Sequence, residues 1–387
     1  MEIAKYLTEI TPSLTLAIDS KAKQLKAEGL DVCGFGAGEP DMDTPEHIKA
    51  AAIKALEDGL TKYTPSSGMP ELRKAISAKF ATDNNLDYPA HHIIVSNGAK
   101  QSCYNGIAAV CNCGDEVIIP SPYWLSYPEM VRLAGGTPVF VPTKEENCWK
   151  LTPEEFADAI TPLTRMIILN SPNNPTGAVY TREELEALVE VAESEDIYIL
   201  SDEIYENLVY DGTKHVSVAS VSEAAKRLTI TVNGFSKAYA MTGWRIGYLA
   251  APESVAKAID SMQSHMTSNA CSFAQAGALA ALQGSQQCVA DMREEFDMRR
   301  QYMSERLASI AGVRICKPQG AFYVLADISS FGRSSQDFAG RLLSENNVAV
   351  VPGIAFGNDN TVRLSYATSL DIINRGLDRF EDFCKTL

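Results

Sequence analysis

The stretch Asn233-Gly-Phe-Ser-Lys-Ala-Tyr-Ala-Met-Thr-Gly-Trp-Arg-Ile-Gly247 carries two cations, Lys237 and Arg245, among small and apolar residues. A lysine is ordinarily a solvated surface charge. Here Phe235, Ala238, Ala240, Met241, Trp244 and Ile246 would waste apolar area in water, so Lys237 is expected in a desolvated place, just past a strand's end. Desolvation disfavours the ammonium form and leaves a nucleophilic amine, which a Schiff-base lysine needs. A nearby guanidinium suits a bound phosphate. A lysine imine beside a phosphate site suggests pyridoxal phosphate.

Other residues of the right types recur just after apolar runs. Asp202 closes one such run, where a carboxylate is costly unless paired. Asn174 lies in Asn170-Ser-Pro-Asn-Asn-Pro-Thr-Gly177, whose composition fits an ordinary turn and also an amide aimed out at a sheet's carboxyl end. Trp124, between Pro120 and Pro128, could pack in a core or cover a flat ring. The turn Ser96-Asn-Gly-Ala-Lys100 feeds a helix, so Gly98 and Ala99 sit where free N–H groups meet an anion, or where a plain connection runs. The glycine run from Gly34 to Gly38 matches neither the dinucleotide fingerprint nor a P-loop; it reads as a plain loop or as backbone laid close to a ligand. Tyr63 is a lone aromatic in a long loop and tells little by itself.

These residues need an α/β scaffold. Short apolar runs at 92–95, 116–119, 137–141, 166–169, 197–200, 228–232 and 248–250 read as strands. Helices are expected at 45–58, 71–84, 99–110, 129–134, 153–160 and 182–195. Strand count alone leaves a closed parallel barrel open beside an open sheet. A long helix at 287–310 leads to a smaller unit, with strands near Val313, 322–326, 348–351 and 362–364 and helices near Ser335 and Ser369. The expected division is an arm and part of the small domain at 1–41, a large domain at 42–285 and a small α+β domain at 286–387. The arm is expected to start near Tyr6 and lead into a helix ending at Ala27.

The net charge of -15 over 387 residues argues against nucleic-acid and anionic-membrane partners. No run is long and apolar enough for a membrane helix, and the first residues lack a basic-then-apolar signal pattern. Nine scattered cysteines and five histidines form no metal-ligand spacing, so no metal site is expected and the thiols read as reduced core residues of a cytoplasmic protein.

The blocks Ala37-Gly-Glu-Pro-Asp41, Lys62-Tyr63, Gly98-Ala-Lys100, Ser121-Pro-Tyr-Trp124, Asn173-Asn-Pro-Thr-Gly177, Ser201-Asp-Glu-Ile-Tyr205, Phe235-Ser-Lys237 with Arg245, and Val362-Arg-Leu-Ser-Tyr366 follow one another in order. Together they resemble the class I/II pyridoxal-phosphate-dependent aminotransferases of fold-type I, and within them the bacterial and archaeal aspartate aminotransferases. The resemblance implies a mostly parallel sheet sandwiched by helices in the large domain.

It also implies roles. Lys237 resembles the lysine that binds the coenzyme and moves the proton, and Asp202 the carboxylate that pairs with its ring nitrogen. Tyr205 and Asn174 match the pair that bonds the ring's phenolic oxygen, and Trp124 the aromatic stacked on the ring. Arg245 with Gly98, Ala99 and Lys100 matches the phosphate cup, and Tyr63 a tyrosine reaching the phosphate of a partner subunit in a homodimer. Arg363 matches the residue that grips the substrate α-carboxylate, with Gly38 near it; Lys100 can meet a side-chain carboxylate. The implied reaction is a ping-pong exchange between an amino acid, aspartate or glutamate favoured, and a 2-oxo acid such as 2-oxoglutarate.

Two departures matter. Gly234 stands where many relatives carry Ser or Thr against the phosphate, and Thr11 where part of the branch carries Lys, which argues against bulky dicarboxylates such as prephenate. Alanine or aromatic specificity and a carbon–sulfur β-lyase share the same lysine and aspartate. A non-catalytic coenzyme-binding regulator would need a basic DNA-binding segment, and a nicotinamide dehydrogenase the missing glycine fingerprint.

Overall fold

The computed structural model describes residues 3, 4, 7, 8 and 10–387. Tyr6, the expected start of the arm, lies outside the described residues, as do the first two residues of the tested signal pattern. Ser13 caps helix α1 (Leu14–Ala27), its hydroxyl accepting from the Leu16 N–H. Strand β1 (Cys33–Gly34) and helices α2 (Glu46–Glu57) and α3 (Pro70–Asp83) follow, α3 with proline in its first turn.

Strands and helices then alternate through β2 (Ile93–Ser96), α4 (Ala99–Val110), β3 (Glu116–Ser121), α5 (Ser126–Leu133), β4 (Thr137–Pro142), α6 (Pro153–Asp158), β5 (Thr164–Asn170), α7 (Arg182–Ser194), β6 (Tyr198–Asp202), α8 (Glu223–Leu228), β7 (Thr229–Gly234) and β8 (Gly247–Ala250). Helices α6 and α7 open on capping boxes, Thr152 with Glu155 and Thr181 with Glu184. Two helices that the sequence reading does not assign, α9 (Glu253–Met266) and α10 (Ser272–Gln283), precede the long α11 (Gln287–Ser309). The chain ends through β9 (Arg314–Ile315), β10 (Tyr323–Asp327), α12 (Ser335–Asn346), β11 (Val348–Ala349), β12 (Val351–Pro352), β13 (Thr361–Ser365) and α13 (Leu370–Cys384).

Seven strands form one open sheet in the order β2-β8-β7-β6-β5-β3-β4, which removes the barrel alternative. Only β8 runs against its neighbours. Ile107 of α4 and Ile259 of α9 join the core on one face, Leu185 and Leu188 of α7 that on the other. A sheet covered on both faces needs the near-continuous apolar strands seen here.

The C-terminal strands form an antiparallel sheet, β12-β13-β10-β9, and β1 pairs in parallel with β11. Residues 33–34 therefore complete a sheet otherwise made by the C-terminal part. One core runs through both parts: Phe35, Tyr205 and Leu208 pack with Phe296, Phe322 and Phe380.

The thiols are all free, but the expectation that they are core residues needs correction. Cys33, Cys103, Cys111 and Cys384 are buried, whereas Cys113 and Cys148 are exposed. Among the described residues no helix is long and apolar enough to cross a membrane.

Candidate active site

Parallel strands β5, β6 and β7 end side by side, with Asn170 opposite Asp202 and Asp202 opposite Val232. The chain leaving each strand therefore delivers its side chains into one crevice, where open α/β sheets bind ligands. That crevice is a cleft of about 470 Å³ lined by Lys237, Asp202, Tyr205, Asn174, Trp124, Ala99, Lys100, Arg245, Gly38 and Arg363. Gly98 lies at its edge against Arg245. Tyr63 is the exception: it is 88% exposed and outside the cleft of its own chain.

Beyond β7, Phe235, Ala238 and Met241 are drawn into the core. Lys237 is left half-buried, its Nζ donating to the Gly38 carbonyl and lying 5.7 Å from the Tyr205 ring centre. Burial lowers its pKa from the ordinary 10.5 to about 8.

Asp202 is 3% exposed. It accepts the Tyr127 hydroxyl at 2.7 Å, the Ile204 N–H at 3.2 Å and the Cys103 thiol at 3.6 Å. Burial raises its pKa, and the Tyr127 hydrogen bond opposes the rise. No ion pair reaches this carboxylate among the described residues, so a cation in the cleft would complete it.

Arg363, on β13, enters from the other sheet and is 2% exposed. It donates from Nη1 to Asn174 Oδ1 at 2.9 Å and from Nη2 to the Gly36 carbonyl at 3.0 Å. Its Nε has no partner, and burial lowers its pKa. A buried guanidinium served only by neutral acceptors has charge left to pair with an incoming anion.

A second place suited to an anion lies at the start of α4. Gly98 has φ +85°, and no side chain caps the helix. A Cβ at Gly98 would stand 2.5 Å from Arg245 Nη2, so the missing side chain is what lets the guanidinium lie against the helix end. Gly247 does the same from below, since a Cβ there would meet Ala99 N at 2.2 Å. Lys100 Nζ stands 5.0 Å from the Trp124 ring centre, its pKa lowered by burial and then by Arg245.

Sequence reasoning missed the supporting tyrosines. Tyr127 fixes Asp202, and Tyr323 shares a 2.9 Å hydroxyl contact with Tyr205. Tyr127 sits in the proline-bounded aromatic loop already singled out, so its type and place were the available signal.

A family model described as aminotransferase class I and II matches residues 31–380. An aspartate aminotransferase of Geobacillus stearothermophilus is 50% identical, with 99% of each chain covered. An aspartate/prephenate aminotransferase of Cereibacter sphaeroides is 48% identical, covering 100% of this chain and 99% of its own. The structure of Thermus thermophilus aspartate aminotransferase with maleate superposes with a TM-score of 0.95 at 46% identity, covering 99% of this chain and all of that one.

Proposed function

The chain belongs to the class I and II aminotransferases, and on that premise we propose that it moves the amino group of aspartate or glutamate to a 2-oxo acid such as 2-oxoglutarate, with pyridoxal 5'-phosphate as coenzyme. The observation that carries the substrate class is Arg363, buried without a carboxylate and facing the same cleft as Lys237 and Asp202.

The residues present fit the coenzyme. The uncapped end of α4 against Arg245 is a cradle for a phosphate, and the unpaired buried Asp202 suits a protonated ring nitrogen. When bound, pyridoxal phosphate supplies an aldehyde to take up the amino group and a ring to draw electrons from the substrate Cα. Gly98, Ala99, Lys100 and Arg245 would hold the phosphate, Trp124 would stack on the ring, and Tyr205 and Asn174 would face its phenolic oxygen.

Arg363 grips the α-carboxylate with its planar fork, Gly38 beside it, and so turns the Cα–H toward Lys237. The Lys237 amine, largely neutral once the pH passes about 8, takes that proton on Nζ and returns it on the far side of the exchange. Lys100 offers a cation to a side-chain carboxylate, which favours aspartate and glutamate over alanine. Thr11 is exposed and uncharged, and on that ground bulky dicarboxylates such as prephenate fall outside the proposed range.

Tyr63, exposed here, is proposed to reach the phosphate of a partner subunit in a homodimer with shared sites. The acidic surface charge and unpaired thiols suit a cytoplasmic enzyme. A panel of amino acids added singly to the coenzyme-loaded protein tests the reading. Aspartate and glutamate should bleach the coenzyme absorbance and yield their 2-oxo acids. Pyruvate with ammonia from cysteine conjugates, and no response to aspartate, would replace transamination by β-elimination.

A further inference from the structure

Two of the free cysteines lie at the junction where the edges of the two sheets approach each other. Cys148 follows β4, an edge strand of the seven-stranded sheet, in a tight turn. The turn is closed by Cys148 N–H to the Glu145 carbonyl at 2.8 Å and Trp149 N–H to the Lys144 carbonyl at 2.9 Å. Cys316 follows β9, the edge strand of the four-stranded sheet. Its thiol donates to that same Glu145 carbonyl at 3.3 Å. An ion pair from Arg314 to Glu145, 3.0 Å, fastens the junction. One carbonyl oxygen is thus shared by the Cys148 backbone N–H and the Cys316 thiol, which sets the two cysteines side by side at this junction. Cys148 is exposed and Cys316 half-buried.

We propose that Cys148 and Cys316 form a reversible disulfide that staples the edge of the seven-stranded sheet to the edge of the four-stranded sheet. The oxidant is a low-molecular-weight disulfide. The exposed Cys148, as thiolate, attacks one sulfur of oxidised glutathione; that S–S bond breaks, and one glutathione leaves as thiolate. Cys316, as thiolate, then attacks the Cys148 sulfur of the mixed disulfide, and the second glutathione leaves. The protein thiols lose two electrons, the glutathione disulfide gains them, and the two thiol protons pass to the departing glutathione sulfurs. Cys316 is the resolving partner because it is the less exposed. Burial pushes its pKa up to about 12, so the second step quickens as pH rises.

The bond would close a long stretch of chain, which constrains the unfolded state most when the loop is long. Neither cysteine lines the cleft, and the test is independent of aminotransferase activity. The full-length, coenzyme-loaded protein is incubated with oxidised glutathione, digested without reduction and mapped by mass spectrometry. The expected result is a single cross-linked peptide pair joining Cys148 to Cys316, with a higher unfolding midpoint that dithiothreitol reverses. Cys148→Ser should abolish the cross-link and the shift, and Cys113→Ser, at the other exposed cysteine, should abolish neither. Cys316→Ser should trap a stable glutathione adduct on Cys148. The proposal is overturned if only glutathione adducts form on the unaltered protein, if the link joins other cysteines, or if the link leaves the unfolding midpoint unchanged.

Discussion

Lys237 illustrates how one side chain's setting decides its chemistry. Its ammonium form is disfavoured by burial and by the nearby Arg363 and Arg245, and favoured by Glu39 and Asp202; burial is the largest of these and wins. The consequence is a pH profile. In the coenzyme-free protein, capture of the coenzyme aldehyde should rise about tenfold per pH unit and level off near pH 8. A lysine at its ordinary 10.5 would keep rising well beyond that. The same shift carries a sign for stability. Between about pH 8 and 10.5 the unfolded chain binds more protons at this position than the folded one, so this group's contribution becomes more favourable as pH rises through that window. A capture rate that is still climbing at pH 9 and levels off only above pH 10 would show that Lys237 is not desolvated as described.

At the scale of elements, the approach of α4 to the sheet sets the anion cradle. It depends on Gly247 beneath Ala99 and on Gly98 against Arg245. Gly98→Ala adds a Cβ at φ +85° and 2.5 Å from Arg245 Nη2, so both the backbone and the guanidinium must shift. Coenzyme affinity should fall about tenfold, roughly 1.4 kcal/mol, measured by titration of the coenzyme-free protein. Six of the seven main strands were legible because each is an apolar run buried along most of its length, while the largely exposed edge strand β4 was legible from its apolar composition alone. Lys237, Asp202 and Asn174 were legible because each follows such a run directly. Helix α10 was not, since its Ala-rich sequence has little polar contrast from one side to the other. Helix α9 did carry a signal, with Val255 and Ile259 four residues apart on its buried side. The Tyr127–Asp202 and Tyr205–Tyr323 contacts span 75 and 118 residues, and no local pattern encodes such a pairing.

For the whole molecule, the site draws on both sheets: Lys237 and Asp202 come with the large one, Arg363 and Tyr323 with the small one, and a shared core holds them in register. Tyr63 lies outside the cleft of its own chain, so the homodimer reading makes a distinct prediction. Lys237→Ala and Tyr63→Ala proteins, each impaired alone, should regain activity when mixed and allowed to exchange subunits. One site of the hybrid then carries both changes and the other carries neither. Activity of the mixture no greater than the sum of its parts would leave Tyr63 without that role. The central claim, that the amine at position 237 holds the coenzyme, is tested most directly by borohydride reduction of the coenzyme-loaded protein and peptide mapping. The expected result is the coenzyme mass on the peptide carrying Lys237 and on no other; its appearance on Lys100 or another lysine, or on none, would contradict the account.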